Sequence, residues 1–305
     1  MVGPPPAPAS RYRVGQAGHG RLIRLAGLLL SIVLVTACSS PAQRYHAAAE
    51  AGGYAIKDLP APPFRLTAYR PSEAPSPGGL WHVYLTGDGT PWERGRYPSR
   101  DPTPRRPLML ELMDRDPRPR LLLHRPCYGN HPPDAACRPR LWTGARYSET
   151  VVDALDRGLD RLVAEREIAG LVLIGHSGGG LLARLLAGRR EDIRALVTLA
   201  ANLDHAAWTR HHGYLPLEES LHLYDVPPLG AGILQWHLIG PRDDVLPVAL
   251  LREAAHHDPH ARVEVIDGFD HHCCWGEAWP ALLERLDRYL EHQEEELAAT
   301  PPGGH

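Results

Sequence analysis

The sequence has no long basic run and no internal repeat, and its one N-terminal apolar run is too short to cross a bilayer comfortably. With 33 Lys+Arg against 36 Asp+Glu the formal net charge is −3, so the electrostatic footprint of nucleic-acid binding is missing. Cysteine is scarce, at five in 305 residues, and none stands in the spaced pairs that close on a metal ion. The run His271-His272-Cys273-Cys274 comes nearest, but adjacent side chains diverge, so no metal is expected. What the chain does have is proline (31) and glycine (29), the mark of many ordered loops. A hydrophobic fraction of 43% and a charged fraction of 23% are ordinary for a globular protein, and the length suits one large α/β domain or two small ones.

The N-terminus reads as a targeting segment. Arg11, Arg13, Arg21 and Arg24 precede the apolar run from Leu25 to Ala37. Val35-Thr36-Ala37-Cys38 resembles the lipobox of bacterial lipoproteins. That resemblance implies cleavage before Cys38, lipidation of its thiol, and, from Ser39 in the next position, sorting to the outer membrane. An uncleaved N-terminal anchor is the alternative, and either way the protein works outside the cytoplasm, attached to a membrane. The expected organisation is a signal peptide over 1–37, a tether over 38–60, a folded domain over 61–297 and a flexible tail over 298–305. In that compartment Cys127 and Cys137, which flank a short loop, are read as a disulfide. Cys273 and Cys274 stay open between a vicinal disulfide, two free buried thiols and pairing elsewhere.

Along the domain, apolar strands alternate with helices. Strands are expected at Phe64 to Ala68, Leu80 to Leu85, Leu121 to His124, Leu171 to Ile174, Ile193 to Ala200, Gln235 to Ile239 and Arg262 to Ile266. Ser148 is placed as the N-cap of a long amphipathic helix, and further helices are expected over Leu108 to Asp114, Pro247 to about Ala255 and about Ala278 to Glu296. The stretch from Ala201 to Gly232 reads as irregular. This alternation argues a mostly parallel sheet with helices on both faces, whose ligands sit at the carboxyl ends of the strands.

Gly175-His176-Ser177-Gly178-Gly179 matches G-x-S-x-G between a buried strand and an apolar helix, the context of a nucleophile elbow. The turn lifts the Ser177 hydroxyl clear of the sheet and puts the N–H of Gly178 at a helix N-terminus, where a developing oxyanion is stabilised. A serine needs a base, and the base needs an acid to orient it. Asp243 is the preferred acid, with Asp244 and Asp204 as rivals. His271 is the preferred base, with His272 as its rival, because Gly268 permits a tight loop after the last strand. The other histidine doublets, His211-His212 and His256-His257, read as surface or loop residues. Thr86-Gly87-Asp88-Gly89 follows the early strand, so the N–H of Asp88, or failing that of Gly87, is the second oxyanion donor.

The order Ser177, Asp243, His271, each after its own strand, resembles the α/β-hydrolase family over roughly Phe64 to Leu290. The resemblance implies one doubly covered parallel sheet, no cofactor, and acyl transfer to water on a small-molecule or lipid acyl substrate, as in serine esterases and lipases. It also makes residues 201–232 a cap or lid insertion, in which Trp208, Tyr214 and Leu215 either line a pocket or form the cap's own core. Thioesterase, amidase, peptidase and acyltransferase chemistry use the same residues, and a non-catalytic envelope binding protein is the alternative of another class. The oxyanion loop departs from the His-Gly-Gly-Gly type of many lipases and esterases.

Overall fold

Eight strands hydrogen-bond into one sheet in the computed structural model, which describes Gly3 and residues 39–299 apart from 74–77 and 130–132. The expected signal segment, Cys38 and the last residues of the expected tail lie outside the described residues. In chain order the elements are α1 (Pro41–Ala51), β1 (Tyr54–Ala61), β2 (Phe64–Pro71), β3 (Leu80–Leu85), β4 (Trp92–Glu93), β5 (Tyr97–Pro98) and α2 (Leu108–Asp114). There follow β6 (Arg120–Leu123), α3 (Glu149–Arg166), β7 (Gly170–His176), α4 (Gly178–Ala187), β8 (Ile193–Leu199) and α5 (His205–His212). The chain closes with β9 (Leu234–Ile239), α6 (Val248–Ala255), β10 (Arg262–Val265) and α7 (Trp275–Ala299).

The strand order is β1-β2-β6-β3-β7-β8-β9-β10. β1 and β2 form an antiparallel hairpin, β2 meets β6 antiparallel, and every later pairing is parallel. This is the α/β-hydrolase architecture. β7 is buried along its whole length, as a near-continuous apolar run covered on both faces should be. One apolar cluster packs α3 and α4 on one face through Val151, Leu155, Leu181 and Leu185. A second packs α2 and α7 through Leu112, Met113, Trp279 and Leu283. Every member of these clusters lies within the compact unit that begins at Pro41, so that unit carries its own core.

Two local expectations need correction. Residues 41–60 of the expected tether are part of the fold: α1 buries Ala42, Tyr45 and Ala49, and β1 pairs with β2 over its full length. The small residues that read as linker let the helix lie close to its neighbours. The irregular 201–232 stretch contains α5, whose N-terminus is capped by Asp204 accepting from the N–H groups of Ala206 and Ala207 at 3.0 and 2.9 Å. Ser148 is the N-cap of α3 as expected, with extended backbone; its hydroxyl makes no capping bond, and its carbonyl takes the Val151 and Val152 amides.

Candidate active site

Ser177 sits between β7 and α4 with φ 52° and ψ −125°, a strained conformation for a residue with a side chain. Its N–H donates to Leu199 O at 2.9 Å, and its carbonyl receives the Gly180 and Asn202 amides at 3.0 and 3.2 Å. The turn is therefore bonded to the end of β8 as well as to its own helix. Gly178 has no room for a side chain: a Cβ there would overlap the Asp88 carboxylate and the Tyr147 hydroxyl. A Cβ on Gly87 would come 3.2 Å from the Ser177 Cβ, which puts the loop after β3 against the serine.

Asp243 follows β9, and one of its carboxylate oxygens accepts from the amides of Val245 and Leu246 at 3.0 and 2.7 Å. The other lies 2.8 Å from His271 Nδ1. A carboxylate can only accept, so His271 carries its proton on Nδ1 and leaves Nε2 as the basic nitrogen. Both side chains are buried. The rivals stand elsewhere: Asp244 and His272 are exposed, and Asp204 is occupied as a helix cap. His272 lies 5.0 Å from His271 between ring centres, and partial desolvation, with His271 and Arg106 nearby, lowers its pKa.

His176, the variable residue before Ser177, has a role that the motif alone did not reveal. Its Nε2 bonds the backbone carbonyl of His271 at 2.8 Å, and its ring lies 4.9 Å from the His271 ring. A carbonyl only accepts, so Nε2–H is the donor. Burial, reinforced by the neighbouring His271, pushes the His176 pKa down to about 3 and keeps the ring neutral. The turn that carries Ser177 is thereby tied to the loop that carries His271.

The Asp88 side chain is the second feature that sequence reasoning missed. Arg125 and Arg146 each approach it at 2.9 Å, Tyr147 OH donates to it at 2.6 Å, and Tyr128 OH donates to its backbone carbonyl at 2.9 Å. Arg125 also reaches Thr86 O at 3.2 Å, so it spans the loop on both sides of Gly87. Both arginines are buried, at 2% and 5% exposure. Burial alone would raise the Asp88 carboxyl, but Arg146, Arg125 and Tyr147 outweigh it and hold the group at about 2. Arg125 and Tyr128 bracket Cys127, which is disulfide-bonded to Cys137 across a sequence separation of 10. Cys273 and Cys274 form a vicinal disulfide in the loop after His271, where Asp270 accepts the His272 and Cys273 amides at 2.8 and 2.6 Å.

A cavity of about 590 Å³ opens beside this loop, with Arg105, Arg106, Leu108, Val245, His271 and His272 on its wall and Ser177 off it. Trp208 and His212 of α5 both bond Val245 O, at 2.9 and 2.8 Å, so the stretch between β8 and β9 braces the Asp243 loop. Tyr214 and Leu215 are instead exposed.

The sequence matches no family model and no curated protein. Solved structures are similar in fold. An esterase from Butyrivibrio proteoclasticus, Est1E with ferulic acid bound, aligns with a TM-score of 0.55 and 15% identity, covering 78% of this chain and 99% of that one. A membrane phospholipase A described as a bacterial virulence factor aligns at 0.53 and 15%, covering 90% and 99%. The Pyrococcus furiosus esterase Pf2001 aligns at 0.50 and 15%, covering 80% and 90%. At these identities the likeness is one of α/β-hydrolase fold.

Proposed function

We propose that the protein is a serine hydrolase that cleaves an ester-type acyl bond through an acyl-enzyme. The observation that carries this reading is the His271–Asp243 hydrogen bond, made by a loop that His176 ties to the strained Ser177 turn. Ser177 attacks the acyl carbonyl while His271 Nε2 takes its proton. Asp243 holds the imidazole in the required tautomer and stabilises the imidazolium. The N–H groups of Gly178 and Asp88 receive the oxyanion. His271 then returns the proton to the leaving alcohol, and water activated by the same nitrogen releases the acid. The esterase and phospholipase neighbours support an ester among acyl substrates, small-molecule or lipid. In this reading a lipid on Cys38 anchors the enzyme at the cell envelope, in the outer membrane.

The test is hydrolysis of p-nitrophenyl esters of graded acyl length by residues 39–305. Turnover that disappears in Ser177→Ala supports the proposal. Turnover that survives the substitution, or a folded protein inert towards every ester, contradicts it.

A further inference from the structure

Between Asp88 and α2 the chain makes an excursion, residues 90–107, that the catalytic reading does not use. It carries Arg94, Arg96, Arg100, Arg105 and Arg106, all exposed, against only two carboxylates, Glu93 and Asp101. Both carboxylates are engaged locally: Ser99 OH donates to Glu93 at 3.4 Å, and Asp101 accepts the amides of Ala42 and Thr103 at 2.8 and 3.0 Å. Some arginines elsewhere meet acids, as Arg140 meets Glu219, Arg190 meets Asp192 and Arg285 meets Glu264, while others stand singly on the surface among the described residues, as Arg161, Arg210 and Arg252 do. None of the five makes an ion pair among the described residues. A chain of net charge −3 thus gathers a local surplus of positive charge on one loop.

The same excursion displays aromatic surface. β4 and β5 form a two-stranded hairpin in which Trp92 and Tyr97 are 38% and 64% exposed, and every residue from Trp92 to Pro98 faces solvent. Aromatic rings with an apolar body and a polar tip, interleaved with arginines, suit the headgroup level of a bilayer. The excursion leaves the sheet at the Asp88 loop and returns along the cavity wall, where Arg105 and Arg106 stand with His271. Through Asp101 it also holds the amide of Ala42, and Cys38 precedes Ala42 by only four positions in the sequence.

We propose that residues 90–107 dock the protein onto an anionic phospholipid surface. The arginines bind headgroup phosphates, Trp92 and Tyr97 enter the interface, and the cavity beside His271 faces the lipid. The substrate is then an ester supplied from that surface. Only this last step rests on the serine hydrolase reading.

The test is co-sedimentation of residues 39–305 with vesicles of phosphatidylcholine alone or mixed with phosphatidylglycerol. Binding should require the anionic lipid, weaken with salt, and be unchanged in Ser177→Ala, so docking and catalysis fail separately. Each arginine near such a surface contributes about fivefold in affinity, so Arg94→Gln with Arg96→Gln and Arg100→Gln should cost roughly a hundredfold. Hydrolysis of a soluble short-chain ester by the triple variant should be unaltered. Trp92→Ser with Tyr97→Ser should weaken binding further. Equal binding to neutral vesicles, or a triple variant that binds like the parent, overturns the proposal. So does tighter binding to heparin or a single-stranded oligonucleotide than to the vesicles, which would make the loop a site for anionic polymers.

Discussion

His271 Nδ1 lies 2.8 Å from Asp243 Oδ2, while the other Asp243 oxygen is held by the Val245 and Leu246 amides. The carboxylate is thus locked in orientation before it meets the imidazole. Asp243→Asn keeps the shape but offers an amide in place of the acceptor, and it should lower kcat on the order of 10⁴-fold. Asp244→Asn, on an exposed neighbour, should leave kcat unchanged. Steady-state kinetics on one ester compares the two.

His176 tests whether the tie between the two loops matters. His176→Phe keeps a ring but removes the bond to His271 O, and kcat should fall about tenfold, the scale of one hydrogen bond. KM should change little. Because the His176 pKa is already down at about 3, the shape of the kcat/KM pH profile above pH 5 should be the same in the variant. A shifted profile would mean that His176 itself titrates during turnover.

How much of this was open to sequence reading depends on distance along the chain. Ser177, Asp243 and His271 each follow their own strand, and apolar strands with glycine-marked turns are local signals. Arg125, Arg146 and Tyr147 meet Asp88 only because β3, β6 and the start of α3 converge in space, and no periodicity announces that. The His176 tie is hidden for the same reason, since its partner lies 95 residues away. The opposite error occurred at 41–60, where alanine-rich, polar sequence concealed a helix whose buried face needs only Ala42, Tyr45 and Ala49.

The Asp88 cluster predicts a coupled loss of stability. Arg125→Met leaves Asp88 paired with Arg146 but one buried partner short, and frees Thr86 O; it should destabilise the domain by about 2–3 kcal/mol in urea unfolding. Adding Asp88→Asn should deepen that loss, because the buried Arg146 guanidinium then loses its only acidic partner among the described residues.

Acid should unfold the domain in two stages. His124 and His176 are pushed to about 3, and His205 and His237 to about 4, chiefly by burial. Unfolding lets each take up a proton near its ordinary value, so stability should fall as the pH drops below about 6.5. Asp88, held at about 2, favours the fold while ionised; its contribution is lost between about pH 4 and pH 2. Urea midpoints should hold from pH 8 to about pH 7 and decline from there to pH 3, and a flat response between pH 6 and pH 4 would contradict the buried neutral histidines.

The Cys127–Cys137 bridge closes a short loop beside Arg125 and Tyr128, the residues that hold Asp88. Chain entropy assigns such a loop roughly 2–3 kcal/mol. Cys127→Ser with Cys137→Ser should lose about that much in urea unfolding, and should also lower kcat if the loop after β3 supplies the oxyanion donor.

The most direct test of the account needs no substrate. Residues 39–305 are treated with a fluorophosphonate, and the modified residue is located by peptide mass. The account predicts a single adduct on Ser177, absent in His271→Ala and retained in His272→Ala. A folded protein that takes no label, or takes it on another serine, would contradict the claim that Ser177 is an activated nucleophile.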